Sequence, residues 1–284
     1  MPERKIAVGY RQNDALRQSL NALTEAVFGL SFEGWYRAGY WGEGYIPYSF
    51  VEGERVVANV SVSPMEFWVR GQRRRYLQLG TVETHPACRG QGLSAQLLRR
   101  VLADWTGRCD GLFLFANPSV LDFYPKFGFV RAEEQLLFRP LRGAGEGTAR
   151  PLDTGDPAVQ RELFSLAEGA PTGADIWQMG GGPLCLFYAL GPLQNGFYRL
   201  PRGGVAAATF AGETLTLWQH WGPDSLNEAV AALAGPATRR VELGFWRDRA
   251  PGFVPIPCAG EDAFFVQGDF DWLPEGRIPL CSHT

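Results

Sequence analysis

The stretch TVETHPACRGQGLSAQLLRRVLADW, residues 81–105, constrains this chain more than any other. Residues 78–84 carry the apolar and β-branched content of a strand, and Pro86 ends ladder donation. Arg89-Gly90-Gln91-Gly92 follows, with two glycines that permit left-handed backbone and close approach of a ligand. From Leu93 the period changes: Leu93, Leu97, Leu98, Val101, Leu102 and Trp105 recur at helical spacing. Strand, glycine loop and helix in this order leave unpaired backbone N–H groups at a helix N-terminus beside Arg89. Such a terminus suits a phosphate or pyrophosphate. A turn whose glycines serve geometry alone has the same spacing. The stretch lacks both G-x-x-x-x-G-K-[ST] and G-x-G-x-x-G, and no acidic residue ends a following strand to hold a ribose.

Residues 111–116 read as a buried strand ended by Asn117-Pro118. Val120, Leu121, Phe123 and Tyr124 read as a short helix stopped by Pro125, and Lys126-Phe127-Gly128-Phe129 leads into another strand. Together these residues resemble the GNAT acetyltransferase superfamily. Its signature is an [RQ]-x-x-G-x-[GA] loop after a splayed strand, then an Asn, then a Tyr followed by a Gly-Phe pair. Here these are Arg89, Gly92 and Ser94, then Asn117, then Tyr124 with Gly128-Phe129. Ser94 departs from the usual Gly or Ala, a change that a helix N-terminus tolerates. The resemblance covers the first half of the chain. It implies an α+β protein with the GNAT fold, a mixed, mostly antiparallel sheet with a splayed central strand flanked by helices. It also implies acetyl-CoA as co-substrate.

By the same resemblance, acetyl-CoA is held by Val82, Glu83 and Thr84 on the splayed strand. The loop Arg89, Gly90, Gln91, Gly92, Leu93 and Ser94, with Asn117 and Tyr124, completes the site. The strand's free backbone groups pair with pantetheine, and one N–H faces the thioester oxygen. Tyr124 matches the family's general acid. A phenol titrates near pKa 10 and a thiol near 8.5, so at neutral pH Tyr124 would still carry the proton that the departing thiolate takes up, and it must act as the neutral form. A packed aromatic beside Phe123 and Phe127 is the other reading of Tyr124. Many relatives carry a Glu early on this strand, where Gln78 stands here and cannot take a proton. Glu83 is a candidate base, but its parity differs from Val82 and Thr84, so without a bulge it faces the other side of the sheet. Glu33, Glu43, Asp122, the terminal carboxylate of Thr284 and a water relay stay open.

The 284-residue length favours two domains. We expect an acetyltransferase domain over residues 1–140, a Gly/Pro/Arg-rich linker over 141–151 and a second α+β domain over 152–284. Strands over 184–189, 196–200, 205–210, 215–221, 240–246 and 263–267 and helices over 158–168 and 226–233 are expected there. VAAATF, TLTLWQHW, SLNEAVAALAG and RRVELGF parallel VVANVSVS, LQLGTV, LSAQLLRRVLADW and GLFLFA of the first half. The second half has Gly222-Pro223-Asp224 where the loop would be and no Tyr-x-x-x-Gly-Phe, which reads as a degenerate GNAT-like domain without a cofactor site. An unrelated α+β domain is the alternative. In the first half, a helix capped by Asn13 or Asp14 is expected, with hairpin turns at Gly53 and Gly71-Gln72 and a solvated tip at Arg73-Arg74-Arg75.

Residues 28–50 hold Phe32, Trp35, Tyr36, Tyr40, Trp41, Tyr45 and Tyr48 between glycines, with no single period. An irregular packed connection fits. So does an acceptor pocket, in which Glu33, Trp35, Tyr36, Trp41 and Glu43 would hold an amine. The formal net charge of −3 argues against nucleic acid. Five scattered cysteines without C-x-x-C, and His85, His220 and His283 without ligand spacing, imply no disulfide framework and no metal. No apolar run reaches membrane length and residues 1–10 lack a signal core, so a cytoplasmic protein is expected, with homo-oligomerisation open. The activity implied is N-acetyl transfer from acetyl-CoA to a primary amine of a small molecule or peptide. An acyl-CoA-binding regulatory or scaffold protein without turnover is the alternative.

Overall fold

The computed structural model describes residues 3–141, 145, 147–258 and 262–284. Strand β1 (Arg4–Val8) precedes helix α1 (Asp14–Phe28), where Asn13 Oδ1 accepts the Leu16 N–H at 3.1 Å. Gly29 closes α1 in the left-handed conformation, φ 67°. A short helix, α2 (Glu33–Arg37), interrupts the aromatic stretch. Strands β2 (Ile46–Glu52), β3 (Arg55–Val69) and β4 (Gln72–Thr84) form an antiparallel meander. Helix α3 (Leu93–Trp105) then crosses to β5 (Gly111–Ala116), parallel to β4. Leu93, Leu97, Leu98 and Val101 bury the apolar face of α3 against Leu77, Leu79 and Leu114.

Short strands β6 (Val130–Arg131), β7 (Gln135–Pro140) and β8 (Arg150–Pro151) lead to α4 (Pro157–Glu168), β9 (Ile176–Met179) and α5 (Gly182–Leu190). Then come β10 (Phe197–Arg199), β11 (Val205–Ala211), β12 (Thr214–Trp221) and α6 (Leu226–Leu233). The chain finishes with β13 (Arg240–Leu243), β14 (Val254–Pro257) and β15 (Ala263–Gly268). The strand expected over 184–189 is therefore helix α5. Leu184 to Ala189 are buried on every side, so the run has no polar face to reveal its helical period.

The strands make two sheets. The first runs β1-β2-β3-β4-β5-β15-β6, with β9 added against β3; the second runs β14-β7-β13-β12-β11-β10-β8. The expected α+β class is present in both, but the sheets do not divide at residues 141–151. Strand β7, inside the expected first domain, pairs with β13 and β14 in the second sheet. Strand β15, inside the expected second domain, pairs with β5 from Ala263↔Ala116 to Gly268↔Gly111. Residues 142–144 and 146 of the expected linker lie outside the described residues. Beside them, Gly147 N and Ala149 N donate to the carbonyls of Ala234 and Ala232, so the stretch is held against the end of α6.

The internal parallel is visible in the topology. β11 and β12 are antiparallel and α6 crosses to a parallel β13, as β3, β4, α3 and β5 do in the first sheet. Each second strand carries a bulge, at Trp218 in β12 and at Thr81-Val82 in β4.

Without β15, β5 would present an open edge, and Phe113 and Leu114, both buried, would lose the cover of Phe264 and Phe265. A chain ending at residue 140 is therefore expected to lose the cooperative thermal transition of the full chain in calorimetry. A sharp transition in that fragment would show that the first sheet closes without its last strand.

Candidate functional site

Strand β4 pairs with β5 only at Tyr76↔Gly111, Leu77↔Leu112 and Gln78↔Phe113. Beyond Gln78, β4 runs on to Thr84 and β5 to Ala116 without pairing to each other, so the strands splay and leave a slot with backbone groups along its walls. At the end of the slot, Gly90 and Gly92 have φ of 76° and 70°, conformations that a side chain would strain. No atom lies within 4 Å of the space a Cβ would fill at either glycine. Gly92 is the N-cap of α3 and brings no side-chain cap, so the first N–H groups of that helix stay free for an anion. Arg89 Nε donates to the Thr84 carbonyl at 3.3 Å, and Thr84 Oγ1 and Ser94 Oγ are 2.8 Å apart. These contacts tie the strand end to the helix start. Slot and uncapped helix end fit the pantetheine arm and pyrophosphate of a coenzyme A thioester.

The other expected cofactor residues are less uniform. Val82 packs toward α3. The Gln91 side chain is engaged by Arg4, which donates to its Oε1 at 2.6 Å. Asn117 Oδ1 accepts the Ser119 N–H at 3.0 Å and shapes the turn after β5. Tyr124 is 4% exposed and packs on Phe129 and Phe265, with no hydrogen-bond partner for its hydroxyl among the described residues. Burial pushes its phenol up to about 12.

In the second half the corresponding places are filled by the chain itself. Ser225 Oγ accepts the Glu228 N–H and Glu228 Oε2 accepts the Ser225 N–H, so α6 begins with a reciprocal cap. Just before it, the fully buried Asp224 carboxylate accepts the N–H groups of Arg202 and Gly204 at 3.0 and 2.9 Å. Pairing of β12 with β13 ends at Leu243; Gly244 N then donates to Leu217 O, and Leu280 N to Gly244 O, both at 2.7 Å. The residues before the last threonine thus lie across that opening.

The bulge at Thr81-Val82 decides which β4 side chains share a face. Gly80 opposes Ser61 and Glu83 opposes Asn59, so two residues of β4 face one of β3. Thr81 has φ 49°, an outlier for a β-branched residue. Asn59 Nδ2 donates to the Thr81 carbonyl at 2.9 Å, and Tyr45 Oη and Thr81 Oγ1 are 2.7 Å apart. Tyr10 Oη contacts Ser49 Oγ at 2.5 Å and Ser49 donates to Asn59 Oδ1 at 2.8 Å, so the bulge rests on a buried polar chain. Because of the extra residue, Glu83 lies on the face of Gln78 and Gly80, while Val82 and Thr84 turn toward α3. Glu83 is 3% exposed; Thr24 of α1 donates to its Oε1 at 2.9 Å and its Oε2 has no partner. Burial, only partly offset by Thr24, raises its carboxyl to about 8.

A cavity of about 370 Å³ opens on that same face, between the two halves. Its walls include Trp35, Tyr45, Met65, Met179 and Leu184, with Glu66 and Glu168 among its polar residues and Thr284 at one end. Thr284 packs against Gly80, where a Cβ would lie 2.9 Å from its backbone oxygen, and Gln78 Nε2 is 3.4 Å from that oxygen. Of the five expected acceptor residues only Trp35 lines this cavity. Glu33 is held by Arg17 and Arg37, Glu43 by Arg11, and the Arg17 guanidinium lies over the Tyr36 ring at 3.7 Å. Trp41 is stacked on Trp35 in the core. Glu33 and Glu43 are drawn to those arginines and do not line the cavity, so the aromatic stretch does not supply its polar wall. The residues that do supply it, Glu66, Glu168 and Gln178, had no signal in sequence, because they meet only when β9 joins β3.

Residues 11–132 match the family model described as an acetyltransferase (GNAT) domain, and that stretch is a GNAT acetyltransferase domain. Solved structures share the fold over nearly the whole length of the chain. A probable N-acyltransferase of unknown function from Enterococcus faecalis V583 is 13% identical, covers 94% of this chain and 73% of its own, and has a TM-score of 0.58. A GCN5-related N-acetyltransferase from Kribbella flavida is 16% identical, with coverages of 94% and 71% and a TM-score of 0.58. A putative acetyltransferase from Pyrococcus horikoshii is 12% identical, with coverages of 99% and 96% and a TM-score of 0.52. No curated protein matches the chain. Among the described residues, no helix is long and apolar enough to cross a membrane.

The Glu83 carboxyl supplies a pH prediction. Its proton is held more tightly folded than unfolded, so between about pH 4.5 and 8 the unfolded chain ionises first and folding stability falls as pH rises. Glu83→Gln keeps the shape of the neutral acid and removes this loss. Its thermal midpoint should match wild type near pH 4.5 and exceed it increasingly toward pH 8. A difference that does not change with pH would place the carboxyl in an ordinary, solvated titration.

Proposed function

We propose that this chain transfers an acetyl group from acetyl-CoA to a primary amine of a small molecule or peptide, by direct attack in a ternary complex. The observation that carries the reading is the meeting of two spaces at Gly80. This glycine belongs to the splayed part of β4, and cavity-lining Thr284 packs directly on it. A thioester lying in the slot would present its carbonyl to an amine in the cavity.

Acetyl-CoA supplies the activated acyl group and the thiol leaving group. The N–H groups along the bulged part of β4 hold the thioester oxygen, and the N-terminus of α3 holds the pyrophosphate. The new C–N bond forms as the C–S bond breaks. Tyr124 gives its proton to the departing sulfur; burial keeps the phenol neutral and able to donate across the working pH range. The ammonium proton leaves toward the cavity oxygens. Glu83 does not line the cavity and is turned against Thr24, so a water relay to the cavity oxygens is the better placed acceptor. Turnover of Glu83→Gln within a few-fold of wild type is the outcome that fits this assignment, and a loss of about 10²-fold would return the role to Glu83.

The competing reading is an acyl-CoA-binding regulatory protein, favoured by Gln78 in place of the strand carboxylate. Tyr124→Phe separates the two. Packing against Phe129 and Phe265 survives, so acetyl-CoA affinity should change by about one hydrogen bond at most. Turnover, read as CoA release with a thiol reagent, should fall by about 10²-fold. No turnover in wild type with any amine, alongside tight acetyl-CoA binding, would favour the regulatory protein. Gly92→Asp tests the cradle: a Cβ and a negative charge there should abolish the thermal stabilisation by acetyl-CoA. Unchanged stabilisation would move the pyrophosphate elsewhere.

A further inference from the structure

The polar content of the cavity is one-sided. Among the described residues that line it, none is Lys, Arg or His, while Glu66 and Glu168 bring two carboxylates. Arg73 pairs with Glu66 from the neighbouring strand, and Glu168 Oε1 also accepts the Gly182 N–H. Of the other lining residues, Ser63 Oγ, Gln178 Oε1 and Thr284 Oγ1 are buried without a hydrogen-bond partner among the described residues, as is Gln78 Oε1 behind the lining. Ser63 is 2% exposed and Gln78 fully buried, and the Gln78 amide N–H is already turned to the Thr284 oxygen. On the lining itself, one amide oxygen that only accepts, and two hydroxyls free to do so, therefore await donors. Buried acceptors left unpaired are costly, so the group that belongs here brings N–H or O–H bonds. Trp35, Met65, Met179 and Leu184 supply apolar walls for its body, and the thioether chains can adjust to its shape.

We propose, resting on the reading of this cavity as the acceptor site, that the acceptor is a cationic amine without an acid group, with further hydrogen-bond donors beside the amine. An amino acid amide or a decarboxylated amino acid has this chemistry. A free amino acid does not: its carboxylate would set more acceptor oxygens against acceptor oxygens, beside Glu66 and Glu168, with no cation on the lining to receive it.

The matched pair is an amino acid amide and the same amino acid with a free carboxylate, each offered to the acetyl-CoA-saturated enzyme. The series should include aromatic, aliphatic and basic side chains. The amide should exceed the free acid in kcat/KM by about 10²-fold or more, because the acid leaves the cavity acceptors unpaired. The double variant Glu66→Gln, Glu168→Gln should narrow that ratio by about 5-fold or more, whereas a merely structural role for these residues would lower both members alike. Calorimetric binding of each member to the CoA-saturated protein gives the same comparison without turnover. Equal use of both members, or preference for the acid, overturns the proposal. Turnover confined to acid-bearing amines overturns it while leaving amine acetylation intact. Absence of turnover and binding with every amine tried, while acetyl-CoA still binds, removes the acceptor site and this inference with it.

Discussion

The site depends on one backbone irregularity. Thr81 stands at φ 49°, a conformation that costs a β-branched residue on the order of 1–3 kcal/mol. Two hydrogen bonds hold it there, from Asn59 to its carbonyl and between Tyr45 and its hydroxyl. At about 1 kcal/mol each, bonds of this kind are enough to offset the strain. The extra residue then decides which side chains face the cavity. It shifts the side-chain parity of β4 so that Gln78, Gly80 and Glu83 share the cavity face. It lies in the stretch of β4 past Gln78 that no longer pairs with β5, along the slot.

The same device in β12 leads to a different outcome. Its bulge at Trp218 is again followed by an opening beside the parallel strand. There the chain supplies its own occupants: Leu280 bonds to Gly244, and Asp224 puts a carboxylate among backbone N–H groups near the start of α6. The first half leaves the same kinds of backbone group unsatisfied at Gly92 and along β4. A repeat can thus keep its architecture and lose a ligand site simply by satisfying the site's donors internally.

What could be read in the sequence was what is local. The Asn13 cap, the glycine loop, the period of α3 and the hairpin turns are each written within a few neighbouring residues, and each lies where it was expected. Helix α5 was misread because an element buried on all sides carries no periodic signal. The partners of Glu33 and Glu43 could not be foreseen, because Arg17, Arg37 and Arg11 reach them only once α1 and α2 pack. The polar wall of the cavity was hidden for a stronger reason. Glu66 and Gln178 become neighbours through β3 and β9, strands separated by more than a hundred positions in the chain, as the register Phe67↔Gln178 shows.

Strand β15 has a consequence for how the protein is made. It enters the first sheet between β5 and the edge strand β6, yet follows β5 only after the whole second sheet has been laid down in the chain. During synthesis, at roughly 5–20 residues per second, the ribosome must add the whole stretch from β5 to β15 before that sheet can close. For about ten seconds or more the nascent chain carries Phe113 and Leu114 on an incomplete sheet. The first sheet, most of whose strands are translated first, is therefore among the last parts to become native, and its emergence falls in the interval when holdase chaperones matter most.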